Sequence, residues 1–178
     1  MTNTTIDRYY HSESILLQDG SVLVSGSDPE TCYEEDGVEI CQLQERRIEK
    51  FLPPYLKTGR AAPVLAITDK DWGYGDQIQV TVTLSAAGTV KFSLMGAESS
   101  THGNSMGQRT FFPAFTCAGN TCTITAPPNS HVCPPGWFQV FLLEDGVPST
   151  SVYVRIGGDP GNLGAWPVFP DFTIPGSG

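Results

Sequence analysis

The chain is poor in positive charge, with 10 Lys and Arg residues against 19 Asp and Glu residues in a length of 178. The resulting net charge of −9 disfavours nucleic acids and anionic membrane surfaces as partners, because both present negative phosphate groups. Charged residues make up only 16% of the chain, below the average of about 25%. No apolar run approaches the roughly 18 residues that a membrane-spanning helix requires. We therefore expect no nucleic acid partner and no membrane segment.

The sequence also lacks the C-x₂-C and His-x₃₋₅-His spacings of zinc sites, so we prefer disulfides to zinc for its five cysteines. Cys117 and Cys122 flank a Gly-Asn turn and are placed to close a hairpin. Cys32 and Cys41 bracket an acidic loop that they could close, which leaves Cys133 unpaired. The first residues, MTNTTIDRYYH, lack the apolar segment of a signal peptide. We expect a secreted type of protein whose true amino terminus is missing from this chain.

Strand signals dominate the sequence, and no segment shows a convincing helical stripe. An Asp-Gly turn predicts a hairpin over residues 15–24, and residues 28–49 are predicted to be an acidic, solvated insertion. Strict alternation over residues 77–84 and again over 90–94 predicts an antiparallel strand pair. Residues 137–143 carry apolar side chains on both faces of the predicted strand, which predicts a central strand, and residues 152–156 alternate again. The spacing of short strands and turns predicts a β-sandwich of immunoglobulin-like type.

Three histidines are present, and two of them lie in settings that could bind a metal. His11 follows Tyr10 just before the first hairpin, and His102 lies in a loop of small polar residues. Imidazole and phenolate ligands suit copper or iron better than magnesium or calcium. Neighbouring residues of a regular strand point to opposite faces, so Tyr10 and His11 could share a metal only at an irregular strand start or a bulge. From the residues alone, a solvated surface histidine is the commoner explanation.

Three sequence blocks resemble, in the same order, segments of fungal glyoxal oxidases and galactose oxidase. Residues 10–29, YHSESILLQDGSVLVSGSDP, resemble the last propeller motif of these enzymes. Residues 101–109, THGNSMGQR, resemble the loop that brings their second histidine. Their carboxy-terminal domain signature resembles two further segments, 134–143 (PPGWFQVFLL) and 146–149 (GVPS). Over most of residues 9–157 the chain therefore resembles the carboxy-terminal part of a copper radical oxidase.

The resemblance implies an all-β fold, in which an immunoglobulin-like early-set β-sandwich follows a remnant hairpin of a kelch β-propeller. It divides the chain into three parts: residues 1–49 as the end of the last propeller blade plus the acidic insertion, residues 50–157 as the sandwich, and residues 158–178 as a Gly- and Pro-rich strap.

The resemblance also implies three copper ligands, namely axial Tyr10 and the two equatorial histidines His11 and His102. Tyr10 would in addition be the catalytic residue that takes the substrate proton. The family uses a fourth ligand, a tyrosine cross-linked to a cysteine, which carries a radical. No tyrosine of this chain lies in the matching motif, so the copper site is expected to hold three of the four protein ligands.

The implied function is that of a fragment of an enzyme that oxidises an aldehyde or primary alcohol and reduces O₂ to H₂O₂. The fragment is expected to be inactive alone, to be extracellular by family, and to act on a small substrate only as part of a full-length protein. The missing propeller segment or an oligomer partner would cover the apolar face of the hairpin. Two alternatives stay open: a non-enzymatic β-sandwich interaction module, and a carbohydrate-binding module that uses Trp72, Trp137 and Trp166.

Overall fold

The computed structural model describes residues 3–27, 31–42, 44–107 and 109–158, and every structural statement below refers to these residues. They form 17 β-strands and one 3₁₀ turn at Pro54–Leu56. None of their helices is long and apolar enough to cross a bilayer. The predicted carboxy-terminal strap lies outside the described residues from position 159 onward. The strands are β1 Glu13–Leu16, β2 Val22–Ser25, β3 Thr31–Glu35, β4 Val38–Gln42, β5 Glu49–Phe51, β6 Val64–Ile67, β7 Asp71–Trp72, β8 Gln77–Thr83, β9 Val90–Gly96, β10 Ser99–Thr101, β11 Asn104–Met106, β12 Thr110–Phe111, β13 Phe115–Ala118, β14 Thr121–Thr125, β15 Gly136–Glu144, β16 Val147–Pro148 and β17 Val152–Ile156.

Two sheets packed face to face form the main body, as the alternation predicts. One sheet has the strand order β13-β14-β8-β6, and the other has the order β12-β9-β15-β17-β7 with β16 paired to β15. Alternate residues of β8 are buried and exposed, so Ile78, Val80 and Val82 enter the core while the intervening polar residues face solvent. β15 lies between β9 and β17, which confirms the predicted central strand. The all-β, immunoglobulin-like sandwich is therefore confirmed.

The predicted pairing of residues 77–84 with residues 90–94 is wrong. β8 pairs with β14 and β6, whereas β9 pairs with β15 and β12 in the opposite sheet. The chain crosses between the sheets at residues 84–89, and the buried carboxylate of Glu144 holds this crossing. It accepts hydrogen bonds from the backbone N–H of Ser85 and Ala86, at 2.8 Å each, and from the Ser85 hydroxyl at 2.7 Å. Alternation defines the buried face of each strand but not the strand with which it pairs.

The amino-terminal residues form a separate three-stranded sheet of order β1-β2-β5. β1 and β2 are the predicted hairpin, with Glu13 opposite Ser25 and Leu16 opposite Val22. β5 adds a third strand on β2, a pairing that the sequence does not predict. A third strand matters because an isolated two-stranded hairpin is marginally stable in water.

This small sheet contacts the sandwich through hydrogen bonds at its turn. The backbone N–H of Ser151 donates to the Gln18 carbonyl at 2.8 Å, and the Tyr55 hydroxyl donates to the Gly20 carbonyl at 2.6 Å. The apolar residues for which a cover is expected are half-buried: Ile15, Leu17, Val22 and Val24. The sandwich therefore covers part of the hairpin.

Both predicted disulfides are present. Cys32–Cys41 joins directly opposed residues of the β3–β4 ribbon, and Cys117–Cys122 joins opposed residues of β13 and β14. Cys133 is a free thiol that is fully buried. Part of the acidic insertion is thus a β-ribbon rather than a loop, although its residues are largely solvent-exposed as expected.

Candidate metal centre

The first candidate ligand pair lies in a tight turn just before β1. The Ser12 N–H donates to the Tyr9 carbonyl at 3.1 Å, and His11 has a φ of 64°. This backbone conformation is uncommon for a residue other than glycine. The turn supplies the irregular strand start that the sequence requires if Tyr10 and His11 are to face the same side. Their ring centroids lie 3.9 Å apart with 30° between the planes.

Gly26 on the neighbouring chain segment permits this turn. A Cβ atom at position 26 would lie 2.5 Å from the His11 carbonyl oxygen and 3.1 Å from the Ser12 Cα. Gly26 also has a φ of 84°, a backbone conformation that residues with a side chain rarely adopt. The backbone of His11 therefore sits where it does because position 26 has no side chain.

Charged groups fix the segment before the turn. The Arg8 guanidinium donates to the Gly26 carbonyl at 2.5 Å and to the Glu49 carboxylate at 3.0 Å. Hydrogen bonds from Thr4 and Arg8 hold the pKa of the Glu49 carboxyl below its usual value. The strand β5 is thereby tied to the residues that lead into Tyr10.

The second histidine lies in the two-residue turn of the hairpin that β10 and β11 form. Thr101 pairs with Asn104, and the two residues between them, His102 and Gly103, have φ values of 56° and 69°. Positive φ at both central positions is the signature of a type I′ turn, in which Asn-Gly and Asp-Gly are the usual pairs. The same turn pattern occurs with aspartate at Asp36-Gly37 and Asp145-Gly146. A histidine at this position places an imidazole at the apex of the hairpin.

The structure brings the three predicted ligands together from sequence positions about 90 residues apart. The His102 ring centroid lies 5.8 Å from that of His11 and 6.1 Å from that of Tyr10. Metal–imidazole bonds of about 2.0–2.1 Å place a shared ion about 3.2 Å from each ring centre, so two such rings have centres at most about 6.4 Å apart. The separation of the two imidazoles lies within this limit, and imidazole and phenolate are donors that suit copper.

Two further observations describe the chemistry of the group. The Thr101 hydroxyl lies 2.9 Å from His102 Nδ1, which leaves Nε2 as the ring nitrogen available to a metal. All three side chains are exposed, and Tyr10 retains 60% of its accessible surface. The group is thus open to solvent and to a further protein segment. The roles of these residues as metal ligands stay predictions.

Two carboxylates connect the histidine hairpin to β1, and sequence reasoning missed both. Glu13 accepts hydrogen bonds from the Ser100 hydroxyl and from the Gly103 N–H, the latter at 3.2 Å. Glu98 accepts one from the Leu16 N–H at 2.6 Å and another from the Ser105 hydroxyl. Chiefly through the Ser100 bond, the pKa of the Glu13 carboxyl lies below its usual value. The available signal was an acidic residue, Glu13, only two positions after the candidate ligand His11.

A second group of metal-type side chains, Cys32, Glu39 and Cys41, lies on the exposed β3–β4 ribbon. Both of its sulfur atoms are joined in a disulfide, so neither is available as a thiolate ligand. This group does not compete with the histidine and tyrosine cluster as a copper site.

Other residues singled out from the sequence have structural positions. Trp72 is 1% exposed, and its indole N–H donates to the Asp69 carbonyl at 2.8 Å, so it anchors its loop in the core and is not exposed to a carbohydrate. Trp137, expected to be buried, is 47% exposed because it points outward from β15. Arg109, at the end of the 101–109 block, donates to the His131 and Val132 carbonyls at 2.7 and 2.6 Å.

Comparison with known protein families gives one match within the sandwich. Residues 62–156 match the family described as "Galactose oxidase-like, Early set domain". This segment contains His102 and ends with β17. A solved structure titled "Novel fungal alcohol oxidase with catalytic diversity among the AA5 family, in complex with copper" has the same fold, with a TM-score of 0.70 at 22% identity. The alignment covers 87% of this chain and 32% of that one.

Curated relatives extend the similarity to nearly the whole chain. A "WSC domain-containing protein" of Arthroderma benhamiae is 54% identical over 176 residues, which are 99% of this chain and 18% of that protein. An "Aldehyde oxidase GLOX" of Vitis pseudoreticulata is 35% identical over 166 residues, which are 88% of this chain and 31% of that protein. The chain thus spans less than a third of the length of either relative.

Proposed function

Because the chain belongs to the galactose oxidase-like early set domain family, we propose that it is the carboxy-terminal part of a copper radical oxidase. The observation that carries the proposal is the cluster of Tyr10, His11 and His102, whose ring centroids lie within 6.1 Å of one another. Two elements that are distant in sequence meet there, and all three rings are exposed to solvent.

The proposed reaction is the two-electron oxidation of an aldehyde or a primary alcohol by O₂. An alcohol and O₂ give an aldehyde and H₂O₂, and a hydrated aldehyde and O₂ give a carboxylic acid and H₂O₂. Copper, when bound by His11, His102 and Tyr10, would supply a one-electron carrier and a site for the substrate oxygen.

The residues of this chain have separate tasks in that scheme. The two imidazoles would hold the metal, and the contact of Thr101 with His102 Nδ1 leaves Nε2 as the nitrogen that would bind it. Tyr10, as a phenolate, would accept the proton of the substrate hydroxyl, and its exposure suits this role because substrate must reach it.

The same cluster supports the view that the chain is only part of the enzyme. A radical site of this family needs a tyrosine cross-linked to a cysteine, and the free thiol among the described residues is Cys133. Cys133 is fully buried in the sandwich core, whereas the cluster is exposed, so Cys133 does not complete it. We expect the missing ligand, the substrate pocket and the remaining cover of the first sheet to come from a propeller segment. Alone, the chain is expected to bind copper weakly and to lack oxidase activity.

The two disulfides support an extracellular location for the mature protein, because structural disulfides persist in oxidising compartments. Secretion would also place the oxidase where its product H₂O₂ does not accumulate inside the cell.

The mass of the native protein tests the proposal. An antibody raised against residues 50–157 should detect a species several times larger than 19.2 kDa in the native source. That species, loaded with copper, should release H₂O₂ when supplied with methylglyoxal. A native species of 19.2 kDa, or oxidation of methylglyoxal by the isolated chain with copper, would refute it.

A further inference from the structure

We propose that Glu13 is a positioning residue that locks the His102 hairpin onto β1 and so sets the separation of the two histidines. This inference rests on the proposed function only for the identity of the metal; the positioning itself is a property of the chain without copper.

The Glu13 carboxylate spans the His102 turn from both sides. One oxygen accepts the hydroxyl of Ser100, two residues before His102, and the other accepts the N–H of Gly103, the residue after it. His102 is therefore held between two fixed points on one rigid carboxylate group.

His11 lies in the turn directly before β1, two residues before Glu13. The start of β1 is thus joined to the first histidine through the backbone and holds the second through the Glu13 side chain. A change in the position of β1 moves both rings together, so their separation is maintained. Side chains that fix the position of metal-binding histidines typically contribute about 10–100-fold to metal affinity.

The histidine hairpin needs such a grip because it cannot hold its position alone. β10 and β11 have three residues each and form a two-stranded ribbon apart from both main sheets. A ribbon of this size is marginal in water, and the left-handed conformation of His102 adds backbone strain. Strained residues persist where the surrounding structure determines them, and Glu13 supplies that constraint.

Glu98, on the sandwich side, makes a second connection between the histidine hairpin and β1. It precedes the hairpin on the sandwich side, and it accepts the N–H of Leu16 in β1 and the hydroxyl of Ser105 in β11. Carboxylates from both partners therefore join the same two elements. The ionised side chain of Glu13 would be costly on a half-buried strand position without these donors.

The test is Glu13→Gln, an isosteric change that leaves one acceptor oxygen where two are used. The matched control is Glu39→Gln, which removes the same charge from the exposed β3–β4 ribbon. Two readouts are taken at a temperature where each variant is folded: the nuclear Overhauser contacts between the His11 and His102 rings without metal, and the affinity for Cu²⁺ by titration.

We expect Glu13→Gln to lose the ring contacts and to bind Cu²⁺ about 10–100-fold more weakly, and Glu39→Gln to match the wild type in both. Retention of the ring contacts and of wild-type affinity in Glu13→Gln would overturn the positioning role. If the wild type binds no Cu²⁺, the metal assignment fails, and loss of the ring contacts in Glu13→Gln would still support the positioning role.

Discussion

Replacing Gly26 with alanine should displace the first histidine although position 26 is 15 residues away in sequence. The new Cβ atom would lie 2.5 Å from the His11 carbonyl oxygen, and ordinary contact begins at 3.4 Å. The His11 backbone would have to move by about 0.9 Å to relieve the overlap. Functional side chains must be held within about 0.5 Å of their working geometry, so the expected result is at least about tenfold weaker Cu²⁺ binding.

A second cost comes from the backbone of position 26 itself. Its φ of 84° is unfavourable for alanine by about 1–2 kcal/mol, in addition to the overlap. The matched control is Gly59→Ala, since Gly59 has a φ of 75° and nothing within 4 Å of its added Cβ. The control should lose about 1–2 kcal/mol of stability without any change in Cu²⁺ affinity.

Urea denaturation and Cu²⁺ titration of both variants measure the two effects separately. Gly26→Ala should lose stability and metal affinity together, and Gly59→Ala should lose only stability. Equal Cu²⁺ affinity in the two variants would refute the reasoning, because the close approach to His11 would then have no bearing on the site.

Three further predictions concern stability. An ion-pair hydrogen bond from Lys50 and a hydrogen bond from Ser21 lower the pKa of Asp19 to about 2, below its value of about 3.9 in the unfolded chain. Asp19 therefore stabilises the first sheet above about pH 4 and ceases to do so as the pH falls toward 2, and amide signals of that sheet in an acid titration should weaken over this window in the wild type but not in Asp19→Asn. Leu94→Ala empties a fully buried core position and should lower the free energy of unfolding by about 2–5 kcal/mol in urea; a loss below 1 kcal/mol would contradict the packing described. Double alanine substitution of Cys117 and Cys122 removes the disulfide that restricts the unfolded chain, so the free energy of unfolding should fall by about 2 kcal/mol. An unchanged urea midpoint would contradict this.

Local patterns predicted the elements of the sandwich well. The alternation in β8, the apolar side chains on both faces of β15 and both disulfides correspond to observed features. These are properties that a strand or a turn carries in its own residues, so one sequence is sufficient to predict them.

Strand partners and side-chain orientation at strand ends were not predictable in this way. β8 and β9 follow one another yet lie in opposite sheets, because the crossing depends on hydrogen bonds to Glu144, some 58 residues away. The exposure of Trp137 was not predicted either, because a strand with apolar residues on both faces does not show which face is buried at its end.

The candidate site shows the same division. Tyr10, His11 and His102 could be chosen by resemblance to the copper radical oxidases, because the sequence blocks are distinctive. The grip of Glu13 on the His102 turn could not be foreseen, since it joins residues 87 and 90 positions apart. Nor could the need for glycine at position 26, which appears only when the His11 backbone is placed against it.

Electron paramagnetic resonance of the chain with one equivalent of Cu²⁺ tests the central claim most directly, namely that His11, His102 and Tyr10 bind one metal ion. The account predicts a bound, tetragonal Cu²⁺ signal coupled to two imidazole nitrogens, with one coupling lost in His102→Ala and none lost in His131→Ala, whose imidazole is exposed in another loop. An unbound Cu²⁺ spectrum in the wild type, or the same loss in His131→Ala as in His102→Ala, would contradict it.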